Sequence, residues 1–360
     1  MGAAAFLAAL LCTPLVRRWA AAARFVDQPG GRKTHPRPVP LGGGVVIFWI
    51  TLLPVGAAAV LALWASRHGA PPWLPHTLSR HLPGLAARAP QTAVFLAVAA
   101  ALHLLGLIDD KRSLGPAVKL IVQLALATLL ATAADVRFSL FIPYPALATA
   151  LSVVWIVVII NAFNFLDNMD GLAAGIALIA AAIILAPALA AGQVFVSALL
   201  TLLIGALAGF LVYNFPPASI FLGDAGSLLI GLLLVTASVR TTYYHHDLPA
   251  APRYATLLPL LALAVPLYDF ASVTLLRLLQ GKSLFVGDQQ HFSHRLVRRG
   301  MSTRHAVLTI YLATAATGLG AALLPHVPAP AALIIAAQTL LVILLIALLE
   351  RPPAQPPAHP

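Results

Sequence analysis

Charged side chains are scarce in this sequence of 360 residues. Asp, Glu, Lys and Arg together make up 9% of the chain, whereas hydrophobic residues make up 60%. Soluble globular domains carry roughly 25% charged residues, so a chain this poor in charge is not expected to dissolve in water. The composition indicates a protein whose solvent is the lipid bilayer, and it leaves no room for a separate soluble domain.

Cysteine is almost absent as well. Cys12 is the only one, which excludes a disulfide framework or a thiolate metal site within the chain. The apolar run that contains it has no basic residues before it, and Arg17 and Arg18 come after it. This order predicts a membrane-spanning helix and argues against a cleavable signal.

Long apolar runs dominate the chain instead. A membrane-spanning helix needs roughly 20 mostly apolar residues. We therefore predict an all-α integral membrane protein, a bundle of about 10–11 transmembrane helices that forms a single domain over residues 1–350. The Pro-rich residues 351–360 are predicted to be a disordered tail. The apolar runs lie near residues 2–16, 41–65, 92–108, 117–134, 146–162, 171–190, 194–213, 225–239, 255–277, 305–324 and 330–349.

Positive charge is unevenly divided between the two sets of loops. With eleven crossings, one set holds sixteen of the 22 Lys and Arg residues and the other holds six. The richer side is predicted to be cytoplasmic, which places the N-terminus outside in a multi-pass protein of the inner (plasma) membrane. The net charge of +11 is thus assigned to membrane orientation and not to nucleic-acid binding.

Acidic residues gather on the predicted cytoplasmic side. Basic loops that also hold most of the carboxylates suit a metal ion and a phosphorylated substrate. A transporter would need polar groups across the full membrane depth, so gathering at one face favours an enzyme. Of ten Asp and one Glu, seven lie in or beside the inner loops: Asp27, Asp109, Asp110, Asp167, Asp170, Asp224 and Asp288.

The first inner loop combines cations with an unusual backbone. Arg32, Lys33 and His35 precede three prolines at alternate positions and then three consecutive glycines, residues 42–44. The prolines favour an extended run, and the glycines allow close approach of a ligand to the backbone. The loop suits phosphate binding, with a positively charged anchor and a flexible turn as the alternative.

Adjacent carboxylates end the third apolar run. Asp109 and Asp110 precede Lys111 and Arg112. The pair could hold a divalent metal or a proton, and the alternative is a set of helix-end charges that pair with each other.

Polar residues recur every three positions where the fifth apolar run ends. They are Asn161, Asn164, Asp167 and Asp170, followed by Gly171. A spacing of three puts successive groups on neighbouring positions of a helix. Polar groups at membrane depth are costly and usually line a cavity, which favours a functional interpretation.

Two further motifs lie in later inner loops. Asn214 begins a segment with two prolines that leads to Asp224 in a glycine-flanked turn, where the alternative is a simple helix N-cap. His291, His294 and Arg295 follow Asp288 and could bind a diphosphate. A zinc site is the alternative, but hard Asp and Asn oxygens favour Mg²⁺. The histidines could also simply be exposed side chains in a basic loop, without a functional role. Asp269, beside Pro266 in the ninth apolar run, is predicted to have a structural partner and no catalytic role.

Together and in this order, the five motifs resemble the polyprenyl-phosphate N-acetylhexosamine-1-phosphate transferase superfamily, from about Asp27 to Ser302. The resemblance implies a cytoplasmic active site in a bundle of ten or eleven helices. It implies Mg²⁺ at Asp224, with Asn164 as a second candidate ligand, and a lipid phosphate near Asp109 and Asp110. It also implies nucleotide contacts around Asp167, Asp170 and Phe221, and diphosphate contacts from His291, His294 and Arg295.

Two departures from that family pattern stand out. Ser113 occupies the place of a third acid, and Ser293 occupies the middle place of the His-x-His-His pattern, so neither position is expected to be indispensable. The segment from Arg32 to Pro36 resembles the GlcNAc-1-phosphate branch. The phospho-MurNAc-pentapeptide translocase remains an alternative, as does a transporter. A CDP-alcohol phosphotransferase would need an Arg that the run after Asp170 lacks.

The predicted reaction transfers N-acetylhexosamine 1-phosphate, with GlcNAc ranked first, from a UDP-sugar to undecaprenyl phosphate and releases UMP. Mg²⁺ is the expected cofactor, and Mn²⁺ could replace it. A homodimer is a possible oligomeric state. Predicted catalytic residues are Asp109, Asp110, Asp167, His291 and His294; predicted metal ligands are Asp224 and Asn164; predicted substrate-binding residues are Arg32, Lys33, His35, Lys119, Asn161, Asp170, Asn214, Phe221 and Arg295.

Overall fold

A computed structural model describes residues 1–29, 37–138, 142–241, 243, 252–281 and 291–350. The chain is helical almost throughout. The elements in order are α1 (Gly2–Ala22), β1 (Val26–Asp27), β2 (Val39–Pro40), α2 (Gly43–His68), α3 (His76–Ser79), α4 (Leu82–Ala87), α5 (Ala89–Lys111), α6 (Pro116–Ala133), α7 (Pro145–Leu166), α8 (Leu172–Ala190), α9 (Val194–Asn214), α10 (Asp224–Arg240), α11 (Leu258–Ala262), α12 (Ala264–Leu279), α13 (Phe292–Arg298), α14 (Thr303–Leu323) and α15 (Ala329–Leu349), with 3₁₀ turns at Arg253–Leu257 and Leu324–His326.

The predicted apolar runs correspond to helices. Within the described ranges, nine helices are long and apolar enough to cross a membrane. The predicted ninth run forms a pair of helical segments, Arg253–Ala262 and Ala264–Leu279, bent by 63°. The predicted eighth run is α10, which is shorter at 17 residues. The all-α membrane bundle is confirmed, whereas residues 351–360 lie outside the described residues.

Helix α10 is the centre of the bundle. Every residue from Ala225 to Ser238 is buried, and the helix packs against α2, α5, α7, α8 and α9. The outer helices expose large apolar side chains, such as Leu7 and Leu341, as lipid-facing surfaces do. Because α10 is enclosed by protein on all sides, its first residue, Asp224, is held in a fixed position at one end of the bundle.

Glycines allow α2 and α5 to approach the start of α10. A Cβ on Gly44 would lie 2.4 Å from the backbone nitrogen of Gly226, and a Cβ on Gly106 would lie 2.4 Å from Cα of Ala225. Small residues at such crossings let helix backbones come into contact in membranes. The first turn of α10 is thereby fixed against both neighbours.

The loops at this end are also joined by backbone hydrogen bonds. Strands β1 and β2 pair antiparallel, with Val26 opposite Pro40. Phe221 N donates to Pro40 O at 2.9 Å, and Gly43 N donates to Phe221 O at 3.0 Å. This strand-like contact connects the start of α2 to the segment that precedes Asp224.

Replacing Gly106 with alanine should destabilise the protein. The added Cβ meets main-chain atoms that cannot rotate away, and overpacking of this kind costs about 1–3 kcal/mol. Thermal unfolding of the purified protein in detergent is the measurement. Gly115→Ala is the matched control, because nothing lies within 4 Å of its added Cβ. Equal unfolding midpoints for the two variants would contradict the close packing.

Candidate active site

Four aspartates from three separate parts of the chain meet at one end of the bundle. We call Asp109, Asp110, Asp167 and Asp224 the carboxylate cluster. Asp109 and Asp110 lie at the C-terminal end of α5, Asp167 directly follows α7, and Asp224 begins α10. Because these helices alternate in direction, the end of α5, the end of α7 and the start of α10 come together.

Lys119, in the first turn of α6, bridges two members of the carboxylate cluster. Its Nζ lies 2.7 Å from Oδ2 of Asp109 and 3.1 Å from Oδ2 of Asp224. Asp109 also accepts a hydrogen bond from the backbone N–H of Leu114 at 2.6 Å. Lys119 therefore pairs with two of the four carboxyl groups of the cluster.

Asp110 caps the N-terminus of α10. Its two carboxylate oxygens accept the backbone N–H groups of Asp224, at 2.7 Å, and of Ala225, at 3.1 Å. Gly223 has a φ of 73°, and a Cβ there would lie 2.6 Å from the Asp110 carboxylate, so both the backbone conformation and the space require glycine. The interpretation of Asp224 as the N-cap is wrong, because Gly223 is the cap residue and Asp110 provides the capping oxygens.

Asn164 contacts Asp224 from the last turn of α7. Its Nδ2 donates to Oδ1 of Asp224 at 2.9 Å and to the hydroxyl of Ser227 at 3.0 Å. The two predicted metal ligands are therefore neighbours. Asp167 follows one turn later and accepts the backbone N–H of Gly223. Burial raises the pKa of Asp167 well above its usual value, and repulsion from Asp224 and Asp110 adds to that rise.

The four polar residues predicted at helical spacing, from Asn161 to Asp170, do not all lie on one helix. Helix α7 ends at Leu166, so only Asn161 and Asn164 share a helical face, and Asp167 and Asp170 lie in the turn that follows. Asn161 donates to the side-chain oxygen of Gln123 at 2.6 Å and to the backbone oxygen of Val157 at 2.8 Å. Asn161 therefore lies one helical turn deeper in the membrane than Asn164.

Asp170 and Asn214 support the segment that leads to Asp224. Asp170 accepts the backbone N–H of Ala218 at 2.8 Å. Asn214 accepts the N–H of Gly171 at 3.1 Å and donates to the carbonyl of Ile220 at 2.9 Å. The Asn214 amide thus connects two backbone segments, a positioning role that the predicted substrate contact did not include. Arg32, Lys33, His35 and Asp288 lie outside the described residues.

The histidines form a second group on and beside α13. Asp269, fully buried, accepts from Nδ1 of His291 at 2.8 Å and from the backbone N–H of Phe292 at 3.1 Å. The ring of Phe165, next to Asn164, contacts His291 edge-on with centroids 5.7 Å apart. This contact connects the histidine group to the same end of α7 as the carboxylate cluster.

Further contacts set the orientation of α13. The Ser293 hydroxyl donates to the Asn168 side chain at 2.6 Å. Burial lowers the pKa of His294, and the charges of His291 and Arg298 lower it further, so this imidazole favours its neutral form. Arg295 forms an ion pair with Glu350 at 3.2 Å, and Glu350 in turn accepts from the hydroxyl of Tyr268 at 2.6 Å.

Three residues of this group were not predicted as site residues: Asp269, Asn168 and Glu350. Asp269 had a signal, because an acid inside an apolar run needs a partner, and the structure shows that partner to be His291. Asn168 and Glu350 carry no comparable signal, since their partners Ser293 and Arg295 lie 125 and 55 positions away in the chain.

Replacing Asp269 with alanine should weaken substrate binding and stability together. The change leaves Nδ1 of His291 and the N–H of Phe292 without their acceptor, and each buried unsatisfied group costs about 1–3 kcal/mol. Steady-state kinetics and thermal unfolding measure the two effects. Ser272→Ala, which removes a neighbouring hydroxyl that contacts Arg295 at 3.3 Å, should change both far less. An unaltered KM in Asp269→Ala would contradict a positioning role for this residue.

Comparison with known proteins identifies the family of this chain. The glycosyl transferase family 4 model matches residues 92–242, which contain all four members of the carboxylate cluster. The chain is 33% identical over 314 residues to the probable undecaprenyl-phosphate N-acetylglucosaminyl 1-phosphate transferase of Bacillus subtilis, covering 85% of this chain and 79% of the relative.

Two other relatives carry similar names. Decaprenyl-phosphate N-acetylglucosaminephosphotransferase of Mycobacterium tuberculosis is 32% identical over 347 residues, with 89% of this chain and 81% of the relative covered. Undecaprenyl-phosphate alpha-N-acetylglucosaminyl 1-phosphate transferase of Thermotoga maritima is 31% identical over 287 residues, with 80% and 78% covered. The chain therefore belongs to glycosyl transferase family 4, in its branch of polyprenyl-phosphate N-acetylglucosaminyl-1-phosphate transferases.

Proposed function

We propose that the protein transfers GlcNAc 1-phosphate from UDP-GlcNAc to a polyprenyl phosphate and releases UMP, at the cytoplasmic face of the plasma membrane. The observation that carries the proposal is the carboxylate cluster at one end of a lipid-embedded bundle. A cluster of four carboxyl groups, two of which contact Lys119, favours an additional cation, which a metal ion bound to the substrate phosphates would supply. The names of the relatives favour GlcNAc over the peptidoglycan alternative.

The donor set fits Mg²⁺. The carboxylate of Asp224 offers hard oxygen atoms, and Asn164, whose Nδ2 contacts that carboxylate, carries a further hard oxygen on the same amide group. In the described part of the chain, no group of three or more His, Cys, Asp or Glu residues is arranged to hold a metal. Mg²⁺ usually binds through one or two carboxylates, with waters and substrate phosphates completing its shell. When bound, the ion would neutralise charge on the diphosphate and on the departing UMP.

The transfer reaction itself needs the protein mainly to align the two phosphates and to neutralise their charge. An oxygen of the lipid phosphate attacks the phosphorus that carries the sugar, the bond between that phosphorus and the UMP oxygen breaks, and UMP leaves as an anion. The lipid phosphate, with a second pKa near ~6, is largely dianionic at pH 7, so it needs little help from a base. Lys119, held between Asp109 and Asp224, is positioned to attract that phosphate, and catalysis rests on alignment and charge neutralisation.

The histidine group supplies the donor side of the site in this proposal. His294 and Arg295 lie on α13, His291 lies directly before it, and Arg295 is paired with Glu350 at 3.2 Å. Guanidinium groups bind phosphate oxygens through paired hydrogen bonds. We assign the diphosphate of the donor to this group and the lipid phosphate to Lys119.

The test is transfer with purified protein, undecaprenyl phosphate, Mg²⁺ and sugar-labelled UDP-GlcNAc. Label should move into the organic phase with release of one UMP for each product, and EDTA should stop it. UDP-MurNAc-pentapeptide offered in parallel should give no product. Transfer from that donor alone would favour the peptidoglycan alternative, and no transfer from any UDP-sugar would overturn the proposal.

The orientation is tested by cysteine labelling in intact cells. After Cys12→Ala, a cysteine at exposed Ser113, beside the carboxylate cluster, should react only once the membrane is permeabilised. A cysteine at exposed Thr77, in α3 at the other end of the bundle, should react from outside. The expectation rests on the excess of Lys and Arg in the loops on the Ser113 side. The reverse labelling pattern would place the site outside.

A further inference from the structure

A cavity lies at the end of the bundle opposite the carboxylate cluster. It measures about 220 Å³, and its lining includes Arg88, Gln91, Phe95, Phe195, Thr236 and Arg240. Arg240 ends α10, whose first residue is Asp224, and 17 residues at about 1.5 Å each separate the two sites by about 25 Å. The cavity is therefore not part of the site described above. We call it the distal cavity.

The distal cavity is electropositive. Arg88 and Arg240 both line it, and none of its described lining residues is acidic. Asp135, next to the lining residue Ala134, is paired with Arg137 at 3.0 Å, and its charge also acts on Arg240. Arg240 is held in place by donation from Nη1 to Ala134 O at 3.0 Å, with its guanidinium 5.8 Å from the ring centroid of Phe195. A guanidinium fixed in this way is prepared to bind an anion.

Two buried polar atoms in the lining have no partner. Thr236 is 1% exposed, and its hydroxyl makes no hydrogen bond within the described chain. Oε1 of Gln91 is likewise buried and unpaired. Buried polar groups in native structures are almost always satisfied, so each unpaired one requires an explanation. The hydroxyl can donate to an anion, and the amide oxygen needs a donor from the ligand.

We infer that the distal cavity binds the headgroup of an anionic phospholipid that carries a phosphate and free hydroxyl groups. The two arginines and the Thr236 hydroxyl match phosphate oxygens, and the Gln91 oxygen matches a headgroup hydroxyl. The cavity is smaller than the roughly 300–1,000 Å³ of typical ligand pockets, so it holds a headgroup and not a whole sugar nucleotide. Phe95 and Phe195 provide an apolar wall on which the acyl-linked part of the lipid can lie.

The ends of membrane-spanning helices are where lipid phosphates are found. Arg88 precedes α5 and Arg240 ends α10, so both cations lie where these helices meet the headgroup layer. A phosphatidylcholine headgroup brings its own quaternary cation and no hydroxyl, and two arginines would disfavour it. The ligand class is therefore an anionic lipid of the phosphatidylglycerol kind.

The probe is phosphatidylglycerol added to the purified full-length protein in detergent, with bound lipid counted by native mass spectrometry and the thermal midpoint recorded. Phosphatidylglycerol should bind and raise the midpoint, and phosphatidylcholine should not. Arg88→Gln should weaken binding about tenfold, the loss expected for one charge-assisted hydrogen bond. Arg67→Gln, an exposed arginine outside the cavity lining, should bind like the parent protein.

The variant Thr236→Val tests whether the Thr236 hydroxyl contacts the lipid or only supports the fold. Removing an unpaired buried hydroxyl should raise the lipid-free midpoint, while binding of phosphatidylglycerol becomes weaker. A merely structural residue would move both quantities in the same direction. Equal lipid binding by all four proteins would overturn the inference, and so would equal stabilisation by glycerol 3-phosphate or inorganic phosphate, which carry no acyl chains.

Discussion

Replacement of Asp224 with asparagine should lower kcat by about a thousandfold or more, since a catalytic metal contributes several kcal/mol to transition-state stabilisation and each 1.4 kcal/mol is tenfold in rate. Asparagine retains the size of the side chain but removes a charge that Lys119 contacts and that we propose Mg²⁺ binds. The measurement is sugar transfer in saturating Mg²⁺. The variant should still insert into the membrane and purify.

The same change should not destabilise the metal-free protein. Asp224 faces Asp109 across Lys119, and its charge also repels Asp167, so losing the charge relieves repulsion within the carboxylate cluster. Added Mg²⁺ should raise the thermal midpoint of the parent protein and leave that of Asp224→Asn almost unchanged. This second readout separates a lost metal ligand from a misfolded site.

Asp135→Asn is the matched control. Asp135 lies at the other end of the bundle, about half exposed and paired with Arg137 at 3.0 Å. Its φ is 55°, a conformation that asparagine also tolerates. Transfer and the Mg²⁺-induced shift should both stay at the parent level. Near-normal turnover of Asp224→Asn in Mg²⁺ would remove Asp224 from the site.

Local hydropathy was enough to find the long apolar helices. The predicted run at 146–162 is α7, Pro145–Leu166, and the run at 330–349 is α15, Ala329–Leu349, because the thickness of the bilayer sets the length of an apolar run. The ninth run was predicted as one segment, and the structure bends it at Leu263, between Pro259 and Pro266. Hydropathy does not report a bend, since both halves remain apolar.

Contacts between distant parts of the chain were harder to predict. Lys119 meets Asp224 across 105 positions, and Asp110 caps a helix that begins 114 positions later. A local pattern cannot show which helix ends come together. It also cannot show that α10 is the enclosed central helix, because α10 is the less apolar of the two and is buried, whereas the more apolar α15 faces the lipid. The sequence predicted that Asp109 and Asp110 belong to the site. The structure shows that each of the two has its own partners.

Those partners allow a sharp test of whether either aspartate acts as a base. Asp109 pairs with Lys119, and Asp110 accepts two N–H groups of α10. Adjacent residues on a helix point about 100° apart, which explains their different directions. If both aspartates position other groups, the loss of kcat/KM in Asp109→Asn and in Asp110→Asn should be independent of pH between about 6.5 and 9, because the lipid phosphate has already lost its second proton near ~6.

The two variants should nevertheless differ in stability. An asparagine at position 110 offers one acceptor oxygen where the carboxylate offered two, so one N–H at the start of α10 loses its partner, at a cost of about 0.5–2 kcal/mol typical of a lost helix cap. Asp109→Asn keeps one acceptor oxygen for the N–H of Leu114 and leaves Lys119 with its second partner, Asp224, so this variant should unfold close to the parent midpoint. Thermal unfolding, recorded without substrate, distinguishes the two.

The decisive measurement is a pH profile of kcat/KM for both variants in saturating Mg²⁺. Lys119→Met serves as the reference for a pure loss of charge, since it removes the ammonium group that contacts Asp109 and Asp224 without introducing a new acid or base. All three profiles should run parallel to that of the parent protein. A steep recovery at alkaline pH in one aspartate variant alone would identify that residue as an obligatory base, because solution hydroxide would then replace the proton acceptor that the substitution removed.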